Sequence, residues 1–208
     1  MRERWVPTID VRANGGSLHG GPVGRDAMRV VAGVAKGVRL APVPAGTRPM
    51  SDRAREGLFS SLGGFVEGVH VLDLFAGTGA MGIEALSRGG ADGVFVDSSP
   101  SAVRVIGENL RRTKLASKGS VRRMDVRRVL RQKPGRFELI LIDPPYRLPA
   151  TELDEVLAEL AGQGVVAGGG RVVLTRKMES YTPVIPLHWL ELKRLSYGDS
   201  VVLVFQTP

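Results

Sequence analysis

A chain of 208 residues in which 43% are hydrophobic is long and apolar enough to bury one sizeable core. It contains no cysteine, which excludes disulfides and thiolate metal sites, and its three histidines are scattered. No apolar run reaches the length of about 18 residues that a membrane-spanning helix needs, and the amino terminus lacks a signal-peptide pattern. These features predict a cytoplasmic protein with neither a membrane nor a metal partner.

The positive charge of the chain is concentrated in two segments. Of a net charge of +8, residues 103–133 contribute eleven basic side chains against two acidic ones, and residues 28–66 contribute six against two. Such clustering favours a surface that binds the phosphates of a nucleic acid. The structural alternative is a solvated basic face.

The first third of the chain changes character at residue 28. Residues 1–27 are rich in glycine and lack apolar periodicity, so they are predicted to form a flexible leader. Residues 29–33 and 37–40 then predict a short β-hairpin. Ser51 is placed to cap a helix that runs to about Leu62, with its apolar residues four apart.

From residue 69 onward, strand patterns alternate with helix patterns. Predicted strands cover residues 69–75, 93–97, 120–124, 137–142 and 171–175, and helices cover 80–88, 100–113 and 151–161, with a short helix after the third strand. Two antiparallel strands, 189–195 and 200–205, close the chain. This order predicts a Rossmann-like, doubly wound, mostly parallel α/β sheet with a C-terminal antiparallel hairpin. The predicted division is a leader (1–27), an extension of hairpin and helix (28–66) and a main domain (67–208).

A glycine-rich turn follows the first strand of the main domain. Gly77, Gly79 and Gly82 match the G-x-G-x-x-G fingerprint, and Asp97 ends the second strand. Glycines allow a ligand to approach the backbone closely, and the following helix offers free N–H groups. The spacing suits NAD as well as S-adenosylmethionine.

Two further carboxylates favour S-adenosylmethionine over NAD. Asp73 lies four residues before Gly77, where it would repel a pyrophosphate but attract an ammonium or sulfonium group. Asp125 follows the third strand and can accept a hydrogen bond from an adenine amino group. The structural alternatives are that Asp73 fixes the loop and that Asp125 balances charge. The predicted cofactor-binding residues are Asp73, Phe75, Gly77, Gly79, Asp97, Asp125 and Val126.

The apolar run 137–142 ends in the sequence Asp143-Pro144-Pro145-Tyr146. In an open α/β sheet, ligands bind outside the carboxyl ends of the strands. The two prolines stiffen the loop, so its carbonyl groups can accept hydrogen bonds at little entropic cost. A planar base with an exocyclic amino group needs two acceptors and a ring to stack on, and this loop supplies both. A proline turn whose aspartate caps a neighbouring group is the alternative.

Several motifs together resemble the RsmD family of bacterial 16S rRNA guanine-N2 methyltransferases, which are class I S-adenosylmethionine-dependent enzymes. The resemblance runs from residue 28 to about residue 205, and its most family-specific part is the block 47–59. Family members usually begin near Met28, so the leader is either a lineage-specific tail or the result of an upstream start. The other matching segments are residues 29–33 with Gly37, 73–79, 84–89, 143–146 and 197–199.

The resemblance implies methyl transfer from S-adenosylmethionine to N2 of one guanine in 16S rRNA, within the small subunit or an assembly intermediate. Asp143 and the Pro144 carbonyl would then accept hydrogen bonds from N2, Pro145 would stiffen the loop, and Tyr146 would stack on the flipped base. The protein is expected to be a monomer. The residues expected to bind RNA are Lys36, Arg39, Arg48 and Arg53.

Other functions fit parts of the same sequence. An adenine-N6 methyltransferase would use the same loop, and only the resemblance favours guanine over adenine. A glutamine-N5 protein methyltransferase would make no use of the positive charge. An RNA-binding assembly factor without activity, or an NAD oxidoreductase, would leave the 143–146 loop unexplained.

Overall fold

The structure, a computed structural model, describes residues 28–42, 50–178 and 180–208. The predicted leader, residues 1–27, and Arg48 lie outside the described residues. The strands are β1 His70–Leu74, β2 Asp92–Asp97, β3 Gly119–Arg123, β4 Phe137–Ile142, β5 Val166–Lys177, β6 Leu190–Tyr197 and β7 Ser200–Gln206. The α-helices are α1 Asp52–Leu62, α2 Ala80–Ser87, α3 Pro100–Arg112, α4 Val126–Arg131 and α5 Ala150–Gly162, and a 3₁₀ helix covers Gly63–Val66.

The described strands form one seven-stranded sheet in the order β3-β2-β1-β4-β5-β7-β6. Strands β1 to β5 pair in parallel, whereas β7 runs antiparallel to both β5 and β6. The strand order reverses between β1 and β4, and such a switch point opens a crevice at the carboxyl ends of the strands. The predicted doubly wound α/β fold with its antiparallel hairpin is confirmed.

The central strands are buried on both faces, as parallel strands covered by helices must be. Leu72 and Ile140 pack with residues of α4 and α5 on one face of the sheet. Val71 and Leu141 pack with residues of α1 on the other face. Because side chains alternate along a strand, Asp73 lies on the same face as Val71. The carboxyl ends of β1 and β4 are therefore held between two packed layers.

The extension differs in detail from the predicted hairpin. Arg29 and Arg39 form a single antiparallel bridge, and a turn at 32–37 connects them. The predicted helix is confirmed as α1, and the Ser51 hydroxyl accepts a hydrogen bond from the Ala54 N–H at 3.2 Å. Backbone hydrogen bonds such as Val30 N–H to the Val38 carbonyl at 3.0 Å and Leu40 N–H to the Met28 carbonyl at 2.8 Å also join the two segments, and side chains of α2 hold them from below.

Strand β5 begins at Val166, five residues before its predicted start. Gly168, Gly169 and Gly170 interrupt the apolar pattern, and glycine is depleted in strands. Long-range pairing overrides that local preference, since Val166 pairs with Phe137 and the Gly169 N–H donates to the Pro208 carbonyl at 3.0 Å. The sheet is therefore longer on this side than the sequence indicates.

Glu84 of α2 attaches the extension to the main domain. Its carboxylate is fully buried and accepts hydrogen bonds from the N–H groups of Val31 at 2.7 Å and Ala32 at 2.9 Å. Arg88 Nε donates to the same carboxylate at 2.7 Å, and Arg55 Nε lies 3.7 Å away. A buried charge is tolerated only with such partners.

Contacts of Arg55 and Gly33 also hold the 29–33 segment against α1 and α2. Buried Arg55 donates to the Arg29 carbonyl and to Asp52. Gly33 has a φ of +81°, and a Cβ there would lie 1.9 Å from the Ser87 carbonyl oxygen. Only glycine allows this turn to pack so closely on α2.

We expect Glu84→Ala to lower the free energy of unfolding by about 3–5 kcal/mol, because it removes the acceptor of the Val31 and Ala32 N–H groups and the ion-pair partner of Arg88. Urea denaturation followed by circular dichroism measures the change. Glu56→Ala is the matched control, since Glu56 is exposed on α1 and its removal should cost no more than about 0.5 kcal/mol. Equal midpoints for the two variants would contradict this account of how the extension is held.

Candidate active site

The turn between β1 and α2 has a backbone conformation that residues other than glycine rarely adopt. Gly77 and Gly79 have φ values of +56° and +76°, and Phe75 has a φ of +58°. A positive φ is unusual for a bulky residue, and such conformations concentrate at functional sites. The Ala76 N–H donates to the Val96 carbonyl at 3.0 Å, so the turn is also tied to β2. The turn leaves its backbone close to the crevice.

Asp73 is 2% exposed at the end of β1 and accepts a hydrogen bond from the Gly82 N–H at 2.9 Å. A Cβ on Gly82 would lie 2.4 Å from the Phe95 ring and 2.9 Å from the Asp73 carboxylate. The third glycine of the fingerprint is therefore required for α2 to pack on β1 and β2. Asp73 thus fixes the loop, the structural alternative considered for it, while its carboxylate also stands at the crevice.

Three carboxyl groups meet at the carboxyl ends of β1, β2 and β4. Burial raises the pKa of Asp73 well above its usual value against the opposing effect of the Gly82 hydrogen bond, and the charges of Asp143 and Asp97 raise this pKa further. No basic side chain in the described ranges forms an ion pair with any of the three. Such a group of acids disfavours a pyrophosphate and favours a cationic ligand.

Asp97 and Asp125 extend this row of acids along β2 and β3. Asp97 accepts from the Gly77 N–H at 2.9 Å and the Ser99 N–H at 2.8 Å, and its remaining lone pairs can accept from hydroxyl groups. Asp125 caps α4 by accepting from the Arg128 N–H at 3.2 Å, and its side chain is 57% exposed. The side chain of Val126 is buried, so only its backbone can contact a ligand.

The loop after β4 begins with Asp143, whose carboxylate lies near that of Asp73. Burial raises the pKa of Asp143 to about 6. Within the described part of the chain, its carboxylate accepts no hydrogen bond, so its oxygens are available to a ligand. Pro144 is buried and Tyr146 is 55% exposed, which leaves the tyrosine ring accessible from solvent. The turn is closed by a hydrogen bond from the Leu148 N–H to the Pro145 carbonyl at 2.9 Å.

A cleft of about 390 Å³ opens on the other side of Asp143, towards β5 and β7. Its volume is within the range of small-molecule sites. It brings together three segments that are far apart in the sequence: the start of α1, the 143–146 loop and the turn between β6 and β7. Residues that line it include Ser51, Arg53, Asp143, Tyr146, Thr175 and Tyr197.

The sequence did not single out Thr175 or Tyr197 as site residues. The available signal for Thr175 was its position at the end of the predicted strand 171–175, directly after three apolar residues. Tyr197 was noted only as part of a family motif. A Cβ on Gly57 would lie 1.8 Å from the Tyr197 hydroxyl, so Gly57 lets this ring pack against α1. Residues 50–54 of the family-specific block and the 197–199 motif therefore line one cleft.

The predicted RNA-binding residues occupy different places. Arg53 lines the cleft, whereas Lys36 and Arg39 are exposed on the extension and do not line it. Arg48 lies outside the described residues. The role of these four residues in RNA binding stays a prediction.

The basic segment 103–133 carries less free charge than its sequence indicates. Arg127 forms a hydrogen-bonded ion pair with Glu155 at 2.9 Å, and Arg131 forms one with Glu159 at 2.7 Å. Both acids belong to α5, which packs beside α4. Part of the positive charge is therefore neutralised by a helix that is distant in sequence.

The described residues contain no group of three or more histidine or acidic side chains arranged to hold a metal ion. Among the helices of the same ranges, none combines the length and apolar character that crossing a bilayer would require. The candidate site consists of three parts, which are the carboxyl ends of β1 to β4, the glycine turn and the cleft next to Asp143.

We expect Gly82→Ala to destabilise the protein by about 1–3 kcal/mol, because the added methyl group overlaps the Phe95 ring and crowds the Asp73 carboxylate. Gly64→Ala is the control, since a Cβ there meets nothing within 4 Å. Thermal unfolding of both variants measures the difference. A melting temperature for Gly82→Ala equal to that of Gly64→Ala would show that α2 can move away from β1 at no cost.

The family model described as "Conserved hypothetical protein 95" matches residues 28–206. YlbH of Bacillus subtilis is 32% identical over 86% of this chain and 98% of that protein. The ribosomal RNA small subunit methyltransferase D of Escherichia coli is 32% identical over 80% of this chain and 83% of that protein. The solved structure of yhhF from Escherichia coli has a TM-score of 0.78 at 29% identity and covers 87% of this chain and 98% of that one.

These matches span the glycine turn, the 143–146 loop and the cleft, and they agree with the resemblance seen in the sequence. The family model covers all of the described residues except Thr207 and Pro208. The chain belongs to the "Conserved hypothetical protein 95" family, which is the RsmD family of methyltransferases.

Proposed function

We propose that this protein transfers a methyl group from S-adenosylmethionine to the exocyclic N2 of a guanine in 16S rRNA of the small ribosomal subunit. The observation that carries the proposal is the position of Asp143, whose carboxylate lies near the buried Asp73 carboxylate and also lines the cleft of about 390 Å³. The name of the Escherichia coli relative supports the substrate class. The reaction would take place in the cytoplasm, where the small subunit is assembled.

The residues on the β1 to β3 side suit S-adenosylmethionine. Its positive charges would offset the repulsion among Asp73, Asp97 and Asp143. Asp97 has lone pairs left for ribose hydroxyls. The Asp125 carboxylate and the Val126 N–H place an acceptor next to a donor, which matches the amino group and the adjacent ring nitrogen of adenine. When bound, the cofactor would supply an electrophilic methyl group.

The residues on the cleft side suit a base that has been flipped out of its surroundings. The Asp143 carboxylate and the Pro144 carbonyl would accept hydrogen bonds from the two N–H groups of guanine N2. Tyr146, exposed at the mouth of the cleft, would stack on the ring. These contacts hold N2 facing the cofactor side, and such positioning supplies much of the rate enhancement.

Asp143 has a second role in this reaction. Methylation of N2 would give this nitrogen a positive charge. A proton must then leave N2. An ordinary aspartate has a pKa of about 3.9, but burial raises the pKa of Asp143 to about 6. The group is still ionised at pH 7, and it accepts a proton from the methylated nitrogen more readily than an exposed aspartate would.

The direct test uses small subunits that lack the modification, labelled S-adenosylmethionine and nucleoside analysis of the digested rRNA. We expect N2-methylguanosine at a single position. Asp143→Ala should lower kcat by about 100-fold or more, because it removes the acceptor aimed at N2. Asp92→Ala is the control and should retain full activity, since Asp92 is exposed at the opposite end of β2 and pairs with His70.

Three other results of this test would each contradict a different part of the proposal. Label in N6-methyladenosine would assign the site to a different amino group. Absence of label in rRNA, together with measurable cofactor binding, would reject the catalytic role in favour of a non-catalytic assembly factor. Full activity of Asp143→Ala would remove this residue from the mechanism.

The raised pKa of Asp143 predicts the acid limb of the pH profile. Because the mechanism needs the carboxylate, activity is lost as the pH falls through about 6 and the group becomes neutral. We expect kcat/KM, which reports the free enzyme, to fall about tenfold per pH unit below that value. The Asp143→Asn variant should show low activity without this inflection. A wild-type profile that stays flat to pH 5 would contradict the assignment.

A further inference from the structure

Thr175 lies in the cleft without a role in the mechanism above. The residue is 7% exposed, its hydroxyl oxygen is shielded from solvent, and that oxygen has no hydrogen-bond partner among the described residues. Leu174 pairs with Ile142 across β4 and β5. Thr175 and Asp143 are therefore the next residues on two adjacent strands, at the same edge of the sheet.

The other buried threonines differ from Thr175 in this respect. Thr113 donates to the Asn109 carbonyl at 2.7 Å, Thr207 donates to the Ala167 carbonyl at 2.9 Å, and Thr78 contacts the sulfur of Met28 at 3.6 Å. A buried hydroxyl without a partner is unfavourable and calls for an explanation. A ligand in the cleft would complete the hydrogen bond, since rotation about χ1 exchanges the hydroxyl and methyl positions of threonine.

Arg53 provides a second, independent observation on the opposite wall of the cleft. Its exposed guanidinium forms no ion pair within the described ranges, in contrast to Arg55, which is buried against Asp52 and Glu84. A cation in the first turn of a helix is unfavourable, because that end already carries partial positive charge. Arg53 is therefore not placed to stabilise α1, and it lines the cleft as an exposed cation.

We infer that Thr175 and Arg53 form a recognition site for the oxo-bearing edge of a purine, which makes the cleft specific for guanine. This inference rests on the proposed function, in which Asp143 holds N2. Neighbouring strands lie about 4.8 Å apart, a spacing comparable to the separation of N2 and O6 on a guanine. The Thr175 hydroxyl donates to O6 while Asp143 accepts from N2.

Arg53 makes this site selective. Guanine presents two acceptors, O6 and N7, to the fork of an arginine, whereas adenine presents an amino group where guanine has O6. Arginine has donors only, so adenine would leave its N–H groups facing another donor. A contact between Arg53 and a phosphate would have a different requirement, because a lysine at this position could make it as well.

The test compares guanine with 2-aminopurine at the target position of reconstituted small subunits. 2-Aminopurine retains the 2-amino group but lacks O6. We expect wild type to prefer guanine by about 10- to 100-fold in kcat/KM. Thr175→Val should lower kcat/KM for guanine about tenfold and leave the value for 2-aminopurine unchanged. Arg53→Lys should also lose the preference, because lysine keeps the charge but not the planar fork.

Thr207→Val is the matched control, because its buried hydroxyl already has a partner far from the cleft. It should lower the melting temperature and leave the guanine preference intact, whereas Thr175→Val should not lower the melting temperature. An unchanged preference in either Thr175→Val or Arg53→Lys would overturn the inference. If Arg53→Lys retains the preference and only alters the salt dependence of binding, Arg53 contacts a phosphate instead. Failure of wild type to form N2-methylguanosine would instead reject the proposed function itself.

Discussion

The hydrogen bond from the Gly82 N–H to the buried Asp73 carboxylate determines the geometry of the whole site. It joins the end of β1 to the first turn of α2, so the glycine turn between them has one allowed path. The absence of a Cβ at Gly82 permits the contact, and the Phe95 ring fills the space beside it. Because β1 is central in the sheet, this junction also sets where the ends of β2 and β4 stand around it. The acids at those ends are close together as a result of sheet packing.

The closeness of these acids links the ionisation of Asp73 and Asp143 to the binding of a cation. Without a cation, Asp73 and Asp143 both have raised pKa values, mainly through burial. A bound sulfonium or ammonium group favours the ionised form of both side chains. Asp143 would then become a better hydrogen-bond acceptor for an amino group when the methyl donor is in place. Under the proposed function, Asp143 would therefore interact with the cofactor through charge and with the target base through hydrogen bonds.

Local patterns predicted most of the fold and the segments that carry the candidate site, but not the contacts between segments that are distant in sequence. The apolar runs 137–142 and 69–75 and the turn at Gly77 can be read from adjacent residues, since strand burial and tight turns are local properties. The early start of β5, the neutralisation of Arg127 by Glu155 and the contact of Gly57 with Tyr197 depend on residues that are 28 or more positions apart. The proposed role of Thr175 could not be predicted for the same reason. It depends on the fact that no described residue on a neighbouring strand forms a hydrogen bond with its hydroxyl group.

Alternate residues of α1 serve two different purposes. Arg55 points into the protein and reaches Glu84, which also holds the extension, whereas Arg53 lines the cleft. The extension is further bound by buried Asn109, which donates to the carbonyls of Thr78 at 2.9 Å and Ala41 at 3.1 Å. Thr78 belongs to the glycine turn, so Asn109 ties this turn to the extension, and the extension is bound in turn by Glu84 next to Arg55. Methyl transfer needs its two reactants aligned to within a fraction of an ångström, and this shared support fixes both sides of Asp143 relative to each other.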